Sequence, residues 1–155
     1  MDLYAWLVGS WDFAVTEFLT DGAQRHRQGE WHFGWVLEGR AIQDVWIVPP
    51  RGQRDGDAVA NSNRYGTTLR VYDPRSGTWH IQWTDPVSQT FLVMTARSES
   101  GNIVQLGQNQ QGRPVRWSFL DITQTSFLWR GEISADDGLS WQRTVEFTAQ
   151  KRQPT

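Results

Sequence analysis

The side chains of this chain that could move a proton are few. Asp44 lies between Gln43 and Val45 in a largely apolar run, and Glu132 and Glu146 fall in two later alternating segments. A carboxylate of this kind, or His80, pushed against an aromatic wall acquires a shifted pKa and can transfer a proton on a bound substrate. That is how a barrel without a cofactor becomes an isomerase, cyclase or lyase. Each group also has a plainer expectation: Asp44 bonds a neighbouring backbone or an arginine, and His80, alternating with Trp79, Ile81 and Trp83, faces solvent. His26, His32 and His80 share no compact metal-ligand spacing, so no metal site is expected unless two of them converge in space. No serine occupies a Gly-x-Ser-x-Gly elbow, and Gly-x-Gly never precedes a helix, which removes the nucleophile elbow and the phosphate cradle. No cofactor is expected, the catalytic residues are unknown, and whether there is catalysis at all stays open.

The more specific chemistry is aromatic. Ten tryptophans occur among 155 residues that include no cysteine, most of them in short runs that alternate apolar with polar. Trp79, Ile81 and Trp83 alternate with His80, Gln82 and Thr84; Trp117 and Phe119 with Arg116 and Ser118; Phe127 and Trp129 with Leu128 and Arg130. An aromatic face at period two is turned inward by a small barrel or sandwich, as solid core or as the lining of a pocket. A barrel interior holds a layer of side chains or one small ligand, so ten indoles cannot all line one cavity. The expected ligand-binding set is Trp35, Trp83, Trp117 and Trp129, with Gln43, Tyr65 and Arg143 as polar handles. Such a site suits a small hydrophobic or aromatic ligand of planar shape.

Strand patterns must position these residues. The alternation predicts strands over residues 11–18, 30–35, 40–48, 65–72, 78–84, 90–97, 103–108, 115–120, 127–134 and 141–149, separated by turn formers such as Thr20-Asp21-Gly22 and Asp136-Asp137-Gly138. A short helix is expected over Asp2 to Leu7, ending at Gly9. About ten strands in sequential hairpins, with no helix long enough for a parallel crossover, read as an all-β antiparallel up-and-down barrel in one domain, residues 1–155. Closure removes both sheet edges; a two-sheet sandwich is the alternative. Residues 49–64, rich in Gly, Pro, Asp and Asn, break the rhythm as either a disordered insertion or a lid over the barrel mouth.

If Trp11 points into the barrel base, Phe13, Val15, Trp31, Phe33, Trp35, Trp79, Trp83, Trp117, Phe119, Phe127, Trp129, Val145 and Phe147 share the interior. The outer face then carries Arg116, Arg130, Glu132 and Glu146 as a cross-strand charge ladder.

Gly9-Ser10-Trp11 matches the glycine, any residue, tryptophan signature of lipocalin-like barrels. Tyr72-Asp73-Pro74-Arg75-Ser76-Gly77-Thr78-Trp79, Arg116-Trp117-Ser118-Phe119, Ser126 to Ser134 and Val145-Glu146-Phe147-Thr148 follow in order. Across nearly its whole length the chain resembles a bacterial lipocalin-like (calycin) family of small domains of unknown function. The resemblance implies a calycin-type barrel with a small-molecule cavity, and a late cation across the signature tryptophan, for which Arg143, Lys151 and Arg152 all qualify.

A formal net charge of −2 and scattered arginines exclude an electrostatic nucleic-acid binder. No apolar run approaches the length that crosses a bilayer, and Met1 to Val8 is too short and acidic for a secretory signal, so a cytoplasmic protein is expected. Three functions remain: small-molecule binding, a cofactor-independent enzyme acting on a small hydrophobic metabolite, or a solid structural or oligomerisation module. An outward tryptophan would favour a homodimer.

Overall fold

Alternating apolar and polar side chains produce ten strands in the computed structural model, which describes residues 3–54 and 63–154. They are β1 (Gly9–Phe18), β2 (Gln24–Val36), β3 (Ala41–Val48), β4 (Arg64–Asp73), β5 (Thr78–Asp85), β6 (Thr90–Glu99), β7 (Asn102–Gln108), β8 (Pro114–Leu120), β9 (Ser126–Ile133) and β10 (Gln142–Lys151). Each strand pairs antiparallel with the next, and β1 pairs with β10, so the sheet closes as an up-and-down barrel. The expected fold class holds. Most of the question about residues 49–64 falls on 55–62, outside the described residues.

The largest difference from the strand pattern is the start of β2, six residues before the expected Glu30. Gln24 to Gln28 has no apolar alternation to announce a strand; it is extended because it pairs with the end of β1, from Phe18 opposite Gln24 onward. At the N-terminus the short helix is a single 3-10 turn, η1 (Ala5–Leu7), preceded by a fully buried Tyr4. The Trp11 indole N–H donates to Leu7 O at 2.7 Å, which fixes η1 across the base of the barrel. Lys151 is the cation over the signature tryptophan: its Nζ lies 5.4 Å from the Trp11 ring and donates to Trp6 O at 3.2 Å. Arg152 instead binds Asp12 and Glu30, and Arg143 pairs with Glu146.

The register carries one face inward all around the barrel. Trp11 opposes Trp31, Trp31 opposes Trp46, and Trp129 opposes Phe147, whose rings stack at 4.5 Å. Every expected interior residue is inside except Trp35, which is 42% exposed. The reason is register: β1 begins opposite Phe33, so Trp35 stands beyond the start of β1 and that strand does not cover it. On the outer face Arg116 forms a two-pronged pair with Glu132 at 2.9 and 3.0 Å, and Arg130 reaches Glu146 at 2.8 Å. Each such half-buried surface pair adds a few tenths of a kcal/mol.

Two glycines make room for the inward rings. Gly29 lies opposite Phe13, and a Cβ there would fall within the van der Waals envelope of the Phe13 ring; Gly66 is overlaid in the same way by Trp83. Phe13 is buried among Trp31, Trp46 and Phe147 and cannot swing away. Gly29→Ala is therefore expected to lower unfolding free energy by about 1–3 kcal/mol, as overpacked cores do, measured by urea denaturation; an unchanged midpoint would show that Phe13 can relax.

Candidate functional site

The two ends of the barrel are unequal because η1 fills only one of them. Tyr4, Leu7 and Trp11, all fully buried, close that end against Trp79 and Phe119. At the other end, where β1 finishes and β2 begins, a cavity of about 390 Å³ enters the barrel.

Its wall is a belt of mutually braced rings. Trp46 meets Trp83 edge-on at 5.8 Å, Trp83 meets Trp117 at 5.8 Å, and Trp117 meets Trp129 at 5.2 Å. Trp129 stacks on Phe147, and Phe147 returns to Trp46 at 5.9 Å, so the circuit closes. Edge-to-face contacts of this kind each contribute about 0.5–1.5 kcal/mol beyond burial and hold the rings in place. Trp31 completes the wall.

Thr68 and Arg70 lie on the lining and lead to a buried ion pair. Arg70 donates to Asp44 Oδ2 at 2.7 Å, and the Thr68 backbone N–H donates to Asp44 Oδ1 at 2.8 Å. The Arg70 guanidinium also sits 5.1 Å from the Tyr4 ring and 5.6 Å from Phe33. Burial pushes the Asp44 carboxyl above the usual carboxylate range, against the downward pull of Arg70 and the Thr68 N–H. Burial likewise raises the Tyr4 phenol, whose hydroxyl donates to Gln105 at 2.9 Å. At the mouth, Arg25 donates to Glu17 at 2.7 Å. Arg64 donates to Asp85 through Nε at 2.8 Å, and Asp85 in turn accepts the Val87 and Ser88 N–H groups that shape the β5–β6 turn. A bulge between Arg143 and Val145 turns the Thr144 hydroxyl onto Gly131 O at 3.1 Å, at the same rim.

Of the residues expected to bind ligand, Trp83, Trp117 and Trp129 share the cavity wall, whereas Trp35, Gln43, Tyr65 and Arg143 lie outside it. Trp35 stands at the plugged end. Gln43 faces outward and donates to Thr67 Oγ1, Tyr65 lies outside beneath Arg54, and Arg143 stacks over Phe18 while pairing with Glu146. Sequence reasoning missed Trp46, Thr68, Arg64 and Arg70 as wall residues, and did not separate Trp31 and Phe147 from general core. Trp46 had one usable signal, its equal parity with Ile42 and Asp44. It was masked because Val45 and Ile47 make β3 apolar on both faces.

Ser10, His32 and Glu30 form a second cluster, on the outer face. Ser10 Oγ lies 2.8 Å from His32 Nδ1, and His32 Nε2 lies 3.4 Å from Glu30 Oε2. The composition is that of a nucleophilic triad, but the bonding is not. Arg51 donates to Glu30 at 2.6 Å and also approaches His32 Nε2 at 3.3 Å, while Arg152 donates to Glu30 at 3.0 Å. An imidazole that accepts from Arg51 at Nε2 carries its proton on Nδ1 and cannot take one from Ser10. Although burial opposes it, the Arg51 and Arg152 hydrogen bonds hold the Glu30 carboxyl down to about 2, from an ordinary 4.5. Among the described residues no three His, Asp or Glu side chains gather as metal ligands would, and no helix is long and apolar enough to cross a membrane.

No family model and no curated protein matches this sequence. Solved structures do match its fold. The S-type phycobiliprotein lyase CPES of Guillardia theta aligns with a TM-score of 0.66 at 12% identity, covering 99% of this chain and 93% of that one. Rv2717c of M. tuberculosis aligns at 0.65 and 13% identity over 96% and 94% of the two chains. A redesigned beta barrel aligns at 0.50 and 15% identity over 96% and 94%. At these identities the likeness is one of fold: a ten-strand, lipocalin-like barrel. The narrower bacterial domain family suggested by the motifs finds no sequence match.

Two variants test the buried charges. Asp44→Asn leaves Arg70 buried without its counter-charge and is expected to lower unfolding free energy by about 3–5 kcal/mol; a loss below about 1 kcal/mol would show that Arg70 finds water or another acceptor. Because Glu30 has a lower pKa folded than unfolded, it stabilises the protein above about pH 4.5, and that contribution is lost as pH falls toward 2. Glu30→Gln should therefore flatten the fall of melting temperature across that window, and an identical acid profile would contradict the assignment.

Proposed function

We propose that this chain is a cytoplasmic binding protein that holds a small hydrophobic or aromatic molecule inside the barrel, among Trp31, Trp46, Trp83, Trp117, Trp129 and Phe147. The observation that carries this reading is the cavity of about 390 Å³ left at the open end of a barrel whose other end is plugged. A solid structural module would have no use for it, since an unfilled apolar void forfeits packing contacts throughout its lining. The volume lies near the lower end of the range for small-molecule sites, and the braced rings offer flat faces without reorganisation.

An enzyme would need an ionisable group on the wall that is free to exchange a proton. Asp44 is consumed by Arg70 and Thr68, Glu132 and Glu146 lie on the outer face, and Glu17, the carboxylate on the wall, is held by Arg25. Binding without turnover is the reading that these engagements favour.

Titration with N-phenyl-1-naphthylamine, a neutral planar probe, tests it. Binding should quench tryptophan emission and raise the melting temperature as ligand concentration rises. Val145 lines the cavity, and Val145→Trp should fill it, weakening the probe by about tenfold or more while leaving a cooperative melt. A panel of planar hydrophobic compounds giving neither quenching nor a melting shift would overturn the proposal.

A further inference from the structure

We propose that the ligand is a neutral aromatic carbonyl compound, with its rings in the tryptophan belt and its carbonyl oxygen turned inward to the N–H groups of Trp129 and Arg70. The inference rests on the binding function above and adds the ligand's class and orientation.

The lining is short of acceptors. Among the described residues, Nε1 of Trp31, Trp46 and Trp129 and Nε of Arg70 are buried without a hydrogen-bond partner, and all four side chains line the cavity. Each of these atoms is an N–H donor. Proteins rarely leave such groups unmet, because burial takes away water's hydrogen bond and nothing replaces it. Trp31 has an anion to turn to, since its indole helps pull the Asp44 carboxyl down. Trp46 stands near the mouth, close to the end of β3. Trp129 and Arg70, both buried, are the pair within the barrel.

The packing around these two groups is aromatic. Trp31, Trp117 and Phe147 lie against Trp129, and a ring face is only a weak acceptor for its N–H. Tyr4, Phe33 and Phe119 lie beneath Arg70, whose bond to Asp44 runs from Nη1 and leaves Nε unused. Register brings the two donors to one region of the barrel: Trp129 pairs with Phe119 across β8 and β9, and the Arg70 guanidinium lies 5.8 Å from the Phe119 ring. Both nitrogens sit just beneath the cavity surface, and a slight tilt of either group into the adjoining space presents its N–H to an occupant.

Charge decides what kind of acceptor fits. Arg70 already holds a fully buried counter-anion in Asp44, so the pair is neutral as a unit. An anionic ligand would set a second negative charge near a carboxylate that has no water around it, and the cost of that burial falls on both. A carbonyl oxygen brings no net charge and has two lone pairs, one for each N–H. An inward hydroxyl or amine would oppose these donors with a donor of its own. The belt supplies flat faces for the rings, and the two N–H groups supply the polar end that fixes which way round the molecule sits.

Three probes of matched shape separate acceptor recognition from binding. 2-Acetylnaphthalene, 2-ethylnaphthalene and 2-naphthoate share two rings and carry substituents of nearly equal size, and each is titrated against the intact chain by tryptophan emission and melting temperature. The ketone should bind about tenfold more tightly than the ethyl compound, although it is the less hydrophobic of the two, and about tenfold more tightly than the carboxylate. Its carbonyl stretching band should lie at lower frequency in the complex than in cyclohexane, as N–H bonding to a ketone requires. Trp129→Phe keeps a ring and removes the N–H; it should weaken the ketone by about fivefold or more, leave the ethyl compound within about twofold, and reverse part of the band shift. Arg70→Lys, which keeps a counter-charge for Asp44 without the Nε–H, supplies the same comparison if Trp129→Phe does not fold. Parallel losses for the ketone and the ethyl compound in Trp129→Phe would overturn the place given to Trp129. Equal affinity for those two probes, an unshifted carbonyl band, or a preference for the carboxylate would overturn the carbonyl assignment and leave the binding function standing. Failure of all three to bind would overturn both.

Discussion

Every backbone N–H and C=O along a strand needs a partner, and in this chain β1 must find partners on both flanks, in β2 and in β10. Closure follows from that demand, and the rest of the molecule follows from closure. Once the ladder is a ring, its inner face is a fixed small volume and cannot spread to accommodate bulk. Glycines opposite Phe13 and beneath Trp83 are one consequence. Another is that the chain entering β1 must cross an end of the barrel. Tyr4, Leu7 and Trp11 fill that end, and Lys151 at the close of β10 ties Trp6 and Trp11 to it. The cavity is where this filling stops.

Charge is handled differently at three depths. Below the aromatic belt, Arg70 and Asp44 neutralise each other with further support from the Thr68 N–H and surrounding rings, as a buried pair must if it is not to leave an uncompensated ion. On the outer face at the β1–β2 seam, Glu30 is shared by Arg51 and Arg152, and His32 and Ser10 complete a polar network. At the mouth, Arg25 is bonded to Glu17 and Arg64 to the fully buried Asp85.

Much of the architecture was legible in the sequence because alternation at period two is a direct record of which side chains face inward. Trp79 to Trp83, Arg116 to Phe119 and Phe127 to Trp129 announce their strands and their faces together. The signal failed where it was absent or doubled. Gln24 to Gln28 is polar throughout and is a strand only because β1 lies beside it. β3 is apolar on both faces, so Trp46 went unassigned while its outward neighbour Gln43 was taken for a handle; a shift of one position exchanges the faces of a whole strand. Tyr65, of opposite parity to Arg64 and Gly66, lies off the cavity wall for the same reason. Trp35 lies off the wall for a different reason, having inward parity but standing beyond the start of β1.

The amino-acid order determined the strand count, the turns, the inward aromatic set and the outer charge ladder, because each is a local property read within a few residues. Which tryptophans surround space and which are core, that Lys151 and not Arg143 or Arg152 meets Trp11, and that Arg25 and Arg64 share one cavity wall were settled by the folded barrel. Those facts join residues tens of positions apart through strand register and closure, and register is a relation between strands that no single segment contains.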